Sequence, residues 1–377
     1  MFVAYDATTL YARMSGVGFY TARLMESLAD GAGAGTLERL VVLSNRSVAV
    51  PAGPRVAVYP RGRCGVRSIW MQLLLPGILR ELRPDLVHFT NYLAPLASRV
   101  PYVVSFHDMT LSMFPQHHTL KKRLLTSSLL PLVARRARLI LTPSESTRRD
   151  VVRLLDVAPD RVRVIPYAAA PSFRRAGEGP ERLTQRFGVT PPYFLYVGTL
   201  EPRKNLVRAL RAFVRAFPDA GAGQRFVLVG ERGWKYREIL REAARPELAG
   251  RVQLLGYVAE ELLPLLYTHA TALVYPSLYE GFGLPVVEAM ACGTPVLTSR
   301  SSSLAEVAAE AALLVDPADE SALSEGLRAL AQDAELRGRL AARGLARARE
   351  FSWQRTGTET VAAYRAALEP PAATPSG

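Results

Sequence analysis

The chain has 377 residues, 49% of them hydrophobic and 21% charged, with two cysteines and a net charge of +13. That length suits two domains rather than one core, and the balance suits a globular protein rather than a disordered or fibrous one. Cys64 and Cys292 supply neither a disulfide framework nor a metal-ligand spacing. No apolar run reaches the about 20 residues of a membrane span, and the start Met-Phe-Val-Ala-Tyr-Asp lacks the basic and apolar segments of a secretion signal. A cytoplasmic location is expected. The charge is uneven: residues 1–175 carry 24 Lys+Arg against 11 Asp+Glu, and the remainder carries 23 of each. Basic surfaces attract phosphates, nucleic acids or anionic membranes.

In chain order, Phe2 to Tyr5 reads as a first strand. Arg13-Met-Ser-Gly-Val-Gly-Phe-Tyr20 then reads as a glycine loop opening a helix, with Gly16 and Gly18 at its centre. No downstream acidic residue completes a dinucleotide fingerprint. Leu40–Leu43 and Leu86–Phe89 are further strands; the second carries His88 and is followed by Asn91. Tyr102–Phe106 delivers His107 and Asp108 to a strand end, and His117 and His118 read as loop residues. Leu120 to Arg138 mixes apolar and basic residues. It reads either as a half-buried helix with a solvated basic face or as a segment lying on an anionic membrane. Leu139–Thr142, with Ser144 and Glu145 at its end, and Arg163–Ile165 complete the first series.

Small residues and prolines from Tyr167 to Pro180 mark a boundary. A second series follows: Tyr193–Val197, Phe226–Val229, Val252–Leu255, Ala272–Tyr275 and Val296–Thr298. Short apolar runs alternating with helical lengths imply parallel sheets with crossover helices. Two Rossmann-like, doubly wound α/β domains are the simplest account. Residues 1–172 would form the first domain and residues 180–353 the second, with residues 369–377 as a disordered tail.

Two motifs carry chemistry. After Tyr193–Val197 the run Gly198-Thr-Leu-Glu-Pro-Arg-Lys-Asn205 sets Arg203 and Lys204 at a strand's carboxyl end, where ligands of open parallel sheets bind. A guanidinium fork and an ammonium point charge suit a diphosphate. The second motif is Ser277-Leu-Tyr-Glu-Gly-Phe-Gly-Leu-Pro-Val-Val-Glu288, with Glu280 and Glu288 eight positions apart. Gly281 and Gly283 let backbone approach a ligand, Pro285 suits the first helical position, and Gly293 stops the helix. Strand, glycine loop and helix start together offer an anion site flanked by two carboxylates.

These residues resemble the Glu-x7-Glu signature of retaining, nucleotide-sugar-dependent glycosyltransferases of family 4. The resemblance implies a GT-B fold, two Rossmann-like domains facing a central cleft, with a last helix, about 354–368, crossing back onto the first domain. It implies that Arg203 and Lys204 hold the donor diphosphate and stabilise the leaving nucleotide. Glu280 would then bind donor-sugar hydroxyls, with the backbone of Gly281, Phe282, Gly283 and Leu284 facing sugar and phosphates. Glu288 would accept from the ribose hydroxyls. Gly16, Gly18 and Gly198 would lie near the donor. Gly230-Glu231-Arg232 and Gly256-Tyr257-Val258 would wall the base, with Val258 among its contacts. His107 would bind a sugar hydroxyl or orient the acceptor, and His88, Asn91 and Asp108 would stand on the acceptor side.

No Asp-x-Asp pair and no metal-ligand cluster occurs, so no cofactor or metal is expected. Nor is there the carboxylate pair of retaining glycosidases, which leaves front-face attack by the acceptor as the route to retention. The expected partners are a nucleotide sugar, GDP-mannose above others, and a glycan or lipid-linked acceptor of polysaccharide assembly. Contact with a membrane through 120–138 is one further reading, and no nucleic acid is expected. The rivals are another GT-B activity, such as a nucleotide-sugar epimerase, and a non-enzymatic basic binder of membranes or nucleic acid.

Overall fold

The computed structural model describes residues 1–11, 14, 16–31, 35–59, 64–114, 120–219 and 223–369, the side chains of 120–127 excepted. The chain forms two compact units. One contains the described residues up to Tyr167 together with Ser352 onward; the other contains Ala168–Phe351.

The first unit is a seven-stranded parallel sheet. Its strands are β1 (Phe2–Asp6), β2 (Arg39–Leu43), β3 (Val56–Val58), β4 (Leu86–Phe89), β5 (Tyr102–Ser105), β6 (Leu139–Thr142) and β7 (Val162–Val164), in the order β3-β2-β1-β4-β5-β6-β7. The central strands are buried along their whole length, which is why they read as unbroken apolar runs. Trp70, Phe89 and Phe106 anchor the core beneath the sheet. The helix Gly16–Ala29 packs against the final helix, Trp353–Leu368. Ser352 starts that last helix by accepting the N–H of Arg355. Ser144, read as a strand-end residue, is a buried N-cap: its hydroxyl accepts the N–H of Thr147 and opens the helix Glu145–Leu155.

The second unit is a six-stranded parallel sheet of β8 (Tyr193–Val197), β9 (Arg225–Val229), β10 (Val252–Gly256), β11 (Ala272–Tyr275), β12 (Val296–Ser299) and β13 (Leu313–Val315). The order is β10-β9-β8-β11-β12-β13. Both sheets therefore reverse direction after their first strand, between β1 and β4 and between β8 and β11. A doubly wound sheet opens a crevice for ligands at that switch point. The helix Leu206–Ala216 buries Leu206, Ala209, Leu210, Phe213 and Ala216 at helical spacing and packs on the helix Glu320–Gln332. The strands β3 and β13 have no counterpart in the sequence reading. Each is three residues long at a sheet edge, too short to give an apolar run.

Candidate functional site

The switch point of the second unit is where its charged side chains converge. From β8 the chain turns through Pro202–Lys204, a single 3-10 turn, and Asn205 closes it in the left-handed region at φ 61°. The Asn205 amide donates to the carbonyls of Pro276 (3.2 Å) and Pro317 (2.7 Å), tying this turn to the segments that follow β11 and β13. Arg203 donates to the Tyr279 carbonyl (2.6 Å), to Glu280 Oε2 (2.8 Å) and to Glu201 Oε1 (2.7 Å). Lys204 Nζ donates to Glu280 Oε1 (2.6 Å) and to the Tyr275 hydroxyl (2.7 Å). Glu280 is thus clasped, one oxygen by each cation. Burial by itself would raise its pKa, but Arg203 and then Lys204 outweigh it and hold the carboxyl at about 2. Burial lowers the pKa of Lys204, and the Glu280 carboxylate works against that shift. At neutral pH this is a charged cluster, each member the other's counter-ion.

Beyond Glu280 the loop is pinned from β12. The Ser302 hydroxyl accepts the Glu280 N–H (3.0 Å), and the Ser303 hydroxyl donates to the carbonyls of Glu280 (2.9 Å) and Phe282 (3.1 Å). Gly281 and Phe282 are buried. Gly283 adopts φ 101°, a conformation that strains any residue with a side chain, and a Cβ there would also displace the tip of Leu304 at 2.6 Å. It precedes the helix Leu284–Ala291, in which Pro285 is the second residue rather than the first. Pro285 has no N–H to leave unpaired, and the Val286 N–H donates to the Gly283 carbonyl (2.9 Å). One turn on, Glu288 Oε2 accepts from the Tyr267 hydroxyl (2.9 Å); burial pushes its carboxyl up to about 7 despite that bond. Gly198 and Gly230 cross at the ends of β8 and β9, and the Gly230 N–H donates to the Gly256 carbonyl (2.7 Å). Val258 is buried just beyond. Tyr275, Tyr267, Glu201, Ser302 and Ser303 were not read from the sequence as site residues. The run Ser299-Arg-Ser-Ser-Ser303 at a strand end was the available signal; nothing local marked the tyrosines.

In the first unit both histidines expected at the site have partners within the fold. His107 was expected to meet sugar hydroxyls or the acceptor, but both its ring nitrogens are taken. Nε2–H donates to the Thr90 carbonyl (2.7 Å), which leaves Nδ1 to accept from the Tyr167 hydroxyl (2.7 Å). Burial lowers its pKa to about 4, so the ring is neutral. His88 was expected on the acceptor side and is instead fully buried between the Tyr364 hydroxyl (2.7 Å) and the Ser105 hydroxyl (2.8 Å). It joins the last helix to the sheet. Asn91 Oδ1 accepts the N–H of Tyr92, and Asp108 Oδ1 accepts the N–H of Thr110; both shape the turns that follow their strands. Gly16 starts its helix with open space where a Cβ would stand, whereas at Gly18 a Cβ would press on the Thr9 carbonyl at 3.2 Å. Arg13, His117 and His118 lie outside the described residues. Among the described residues no His, Cys, Asp or Glu group converges to hold a metal ion, and no helix is long and apolar enough to cross a membrane.

Two doubly wound parallel sheets, one ending in a glycine loop and a buried Arg–Glu–Lys cluster, define a GT-B glycosyltransferase. Residues 14–172 match the Glycosyltransferase Family 4 description and residues 181–347 match Glycosyl transferases group 1. The chain is 35% identical over 289 residues to the O-antigen chain mannosyltransferase B of Escherichia coli, covering 76% of each protein. Among solved structures it superposes on the sucrose-phosphate synthase of Thermosynechococcus elongatus with TM-score 0.76 at 20% identity, covering 96% of this chain and 98% of that one. It superposes equally on Anabaena HepE in complex with UDP and glucose, with TM-score 0.76 at 18% identity over 96% and 99% of the chains. The chain belongs to glycosyltransferase family 4.

Proposed function

We propose that this enzyme transfers mannose, with retention, from GDP-mannose to a glycan or lipid-linked acceptor in the assembly of a surface polysaccharide. The likeness to the O-antigen mannosyltransferase supports the sugar and the setting. The observation that carries the reading is the Arg203–Glu280–Lys204 cluster at the switch point. In it Glu280, with Glu201 beside Arg203, balances the two cations a donor diphosphate needs. An arriving diphosphate would take over Arg203 and Lys204 and release Glu280 toward the sugar hydroxyls. Tyr275 and Glu201 keep both cations in place through the exchange. As the bond from the anomeric carbon to phosphate breaks, Arg203, Lys204 and the N–H groups after Gly283 would carry the charge gathering on the leaving diphosphate. These groups do the work a divalent cation does elsewhere, so transfer is expected without one. The acceptor oxygen attacks on the face the phosphate leaves, and its proton passes to that phosphate. The Glu288 carboxylate would take the ribose hydroxyls. The enzyme would work on the cytoplasmic side, where nucleotide sugars are made.

Thermal shift with GDP-mannose, UDP-glucose and dTDP- and ADP-sugars tests the donor, because a ligand of the native state raises the melting temperature. GDP-mannose should give the largest rise, and product anomeric configuration by NMR should match that of the donor. Glu280→Gln should abolish transfer while still binding GDP, since the diphosphate no longer competes with a carboxylate. A larger rise with UDP-glucose would replace the donor. Transfer by Glu280→Gln at the wild-type rate would overturn the site.

A further inference from the structure

Residues 231–236 link β9 to the helix Arg237–Ala243 and stand at the same sheet edge as the charged cluster. They are stapled to the turn that carries it. The Leu200 N–H donates to the Glu231 carbonyl (2.9 Å) and the Gly233 N–H donates to the Leu200 carbonyl (3.0 Å). Leu200 and Arg232 thereby pair in parallel just beyond β8 and β9. Gly233 lies close against the turn: a Cβ there would stand 2.5 Å from Thr199 Cγ2, 3.1 Å from the Leu200 carbonyl oxygen and 3.5 Å from Glu201 Cβ. Glu201 in turn holds Arg203 (2.7 Å). The residue that follows this close approach is Trp234.

Trp234 is 39% exposed, and Lys235 Nζ lies 5.4 Å from the centre of its ring. Lys235 sits in the left-handed region at φ 51°, where a residue with a side chain is strained. Such strain persists where the surrounding structure over-determines it, and ligand sites are where it gathers. Exposed aromatic residues occur singly on most protein surfaces. Here a pinned and strained loop presents one at the edge of the sheet where ligands bind.

Along that edge the strand order β10-β9-β8-β11 sets out, in turn, Tyr257, Trp234, Arg203 with Lys204, and Glu280. A donor laid along it, with its sugar at Glu280 and its diphosphate at Arg203 and Lys204, extends its nucleoside over β9 and β10. Glu288 fits this direction, because its partner Tyr267 belongs to the helix Leu263–His269, which enters from β10. We propose that the indole of Trp234 is the stacking platform for the donor's nucleobase. The proposal rests on the reading of Arg203, Lys204 and Glu280 as the diphosphate site. An indole face meets the flat face of any base, so it adds affinity without choosing among bases. The stack is made equally in the bound donor and in the transition state, so it acts on donor binding and not on the chemical step.

Calorimetric titration of the full-length protein with GDP, UDP and inorganic pyrophosphate tests it. Trp234→Ala should weaken GDP and UDP alike by about 10- to 100-fold, the usual contribution of one base–aromatic stack, and leave pyrophosphate, which has no base, unchanged. Trp234→Phe should keep most of the nucleotide affinity. In steady state Trp234→Ala should raise the donor KM by a similar factor at constant kcat. Trp234 is the one tryptophan of the second unit, since Trp70 and Trp353 lie in the first. GDP should therefore quench part of the wild-type tryptophan fluorescence and none of it in Trp234→Phe, a readout that stands even if the alanine variant does not fold. Unchanged nucleotide affinity in Trp234→Ala, an equal loss of pyrophosphate, a rise in acceptor KM alone, or the absence of quenching would each overturn the platform. If wild type binds neither the nucleotides nor pyrophosphate, the diphosphate site fails and the platform with it. If it binds pyrophosphate as tightly as the nucleotides, the platform alone fails.

Discussion

Two glutamates on one short segment end in opposite states because their neighbours differ. Glu280 meets two cations and is held ionised; at Glu288 burial, with the Glu260 charge adding to it and the Tyr267 hydroxyl opposing it, pushes the carboxyl up to about 7. A carboxyl whose folded pKa lies above its unfolded value of 4.5 keeps its proton longer in the native state. Its contribution is therefore fully present below pH 4.5 and lost as pH rises to about 7. Glu288→Gln should remove that loss, about 1–3 kcal/mol, so its melting temperature should exceed that of wild type more at pH 7.5 than at pH 4.5. If Glu288 must be ionised to accept from ribose, GDP affinity in wild type should also rise through pH 7; calorimetric titration at pH 6 and 8 checks this. The residue types at 203, 204, 280 and 288 were legible in the sequence, since each motif states its own chemistry. Their pairing was not, because 77 residues separate Arg203 from Glu280. His88 and His107 show the converse: a strand-end histidine looks the same in sequence whether it faces a ligand or a tyrosine hydroxyl.

At the scale of elements, backbone packing sets the site. Gly230 follows β9 at φ 141°, and a Cβ there would stand 2.0 Å from the Gly198 carbonyl oxygen. That is backbone against backbone, which no rotamer change relieves. Gly230→Ala should cost more than about 3 kcal/mol or prevent the second unit from folding, read as a shift in the urea midpoint. The strands with continuous apolar runs were legible because burial on both faces demands such runs. The edge strands β3 and β13 were not, since a three-residue strand is defined by its neighbour's hydrogen bonds. The clamp of Ser302 and Ser303 on the Glu280 loop is likewise a product of strand order, which sets β12 beside β11.

At the scale of the molecule, the final helix returns to the first unit and is bound there through Tyr364 and His88. Burial holds His88 at about 3 and His107 at about 4, against 6.5 for a free imidazole. Both bind protons more readily when unfolded, so their stability contribution is present above pH 6.5 and is lost as pH falls toward 4. This opposes the Glu288 effect in sign. Urea unfolding should find the first unit weakened by about 2–5 kcal/mol between pH 7.5 and 4.5, and His88→Gln should flatten that dependence. A profile equally steep in His88→Gln would locate the acid sensitivity elsewhere. By itself the sequence determined the family, the doubly wound sheets, the two charged glycine motifs and the basic bias of the first half, because apolar periodicity and local turn chemistry are written in adjacent residues. Tertiary structure alone decided that Glu280 is the counter-ion of Arg203 and Lys204. It also decided that two strand-end histidines are held by hydroxyls and a carbonyl of distant segments. Each of these depends on which distant segments the strand order brings within a few ångströms, and no local pattern records that order.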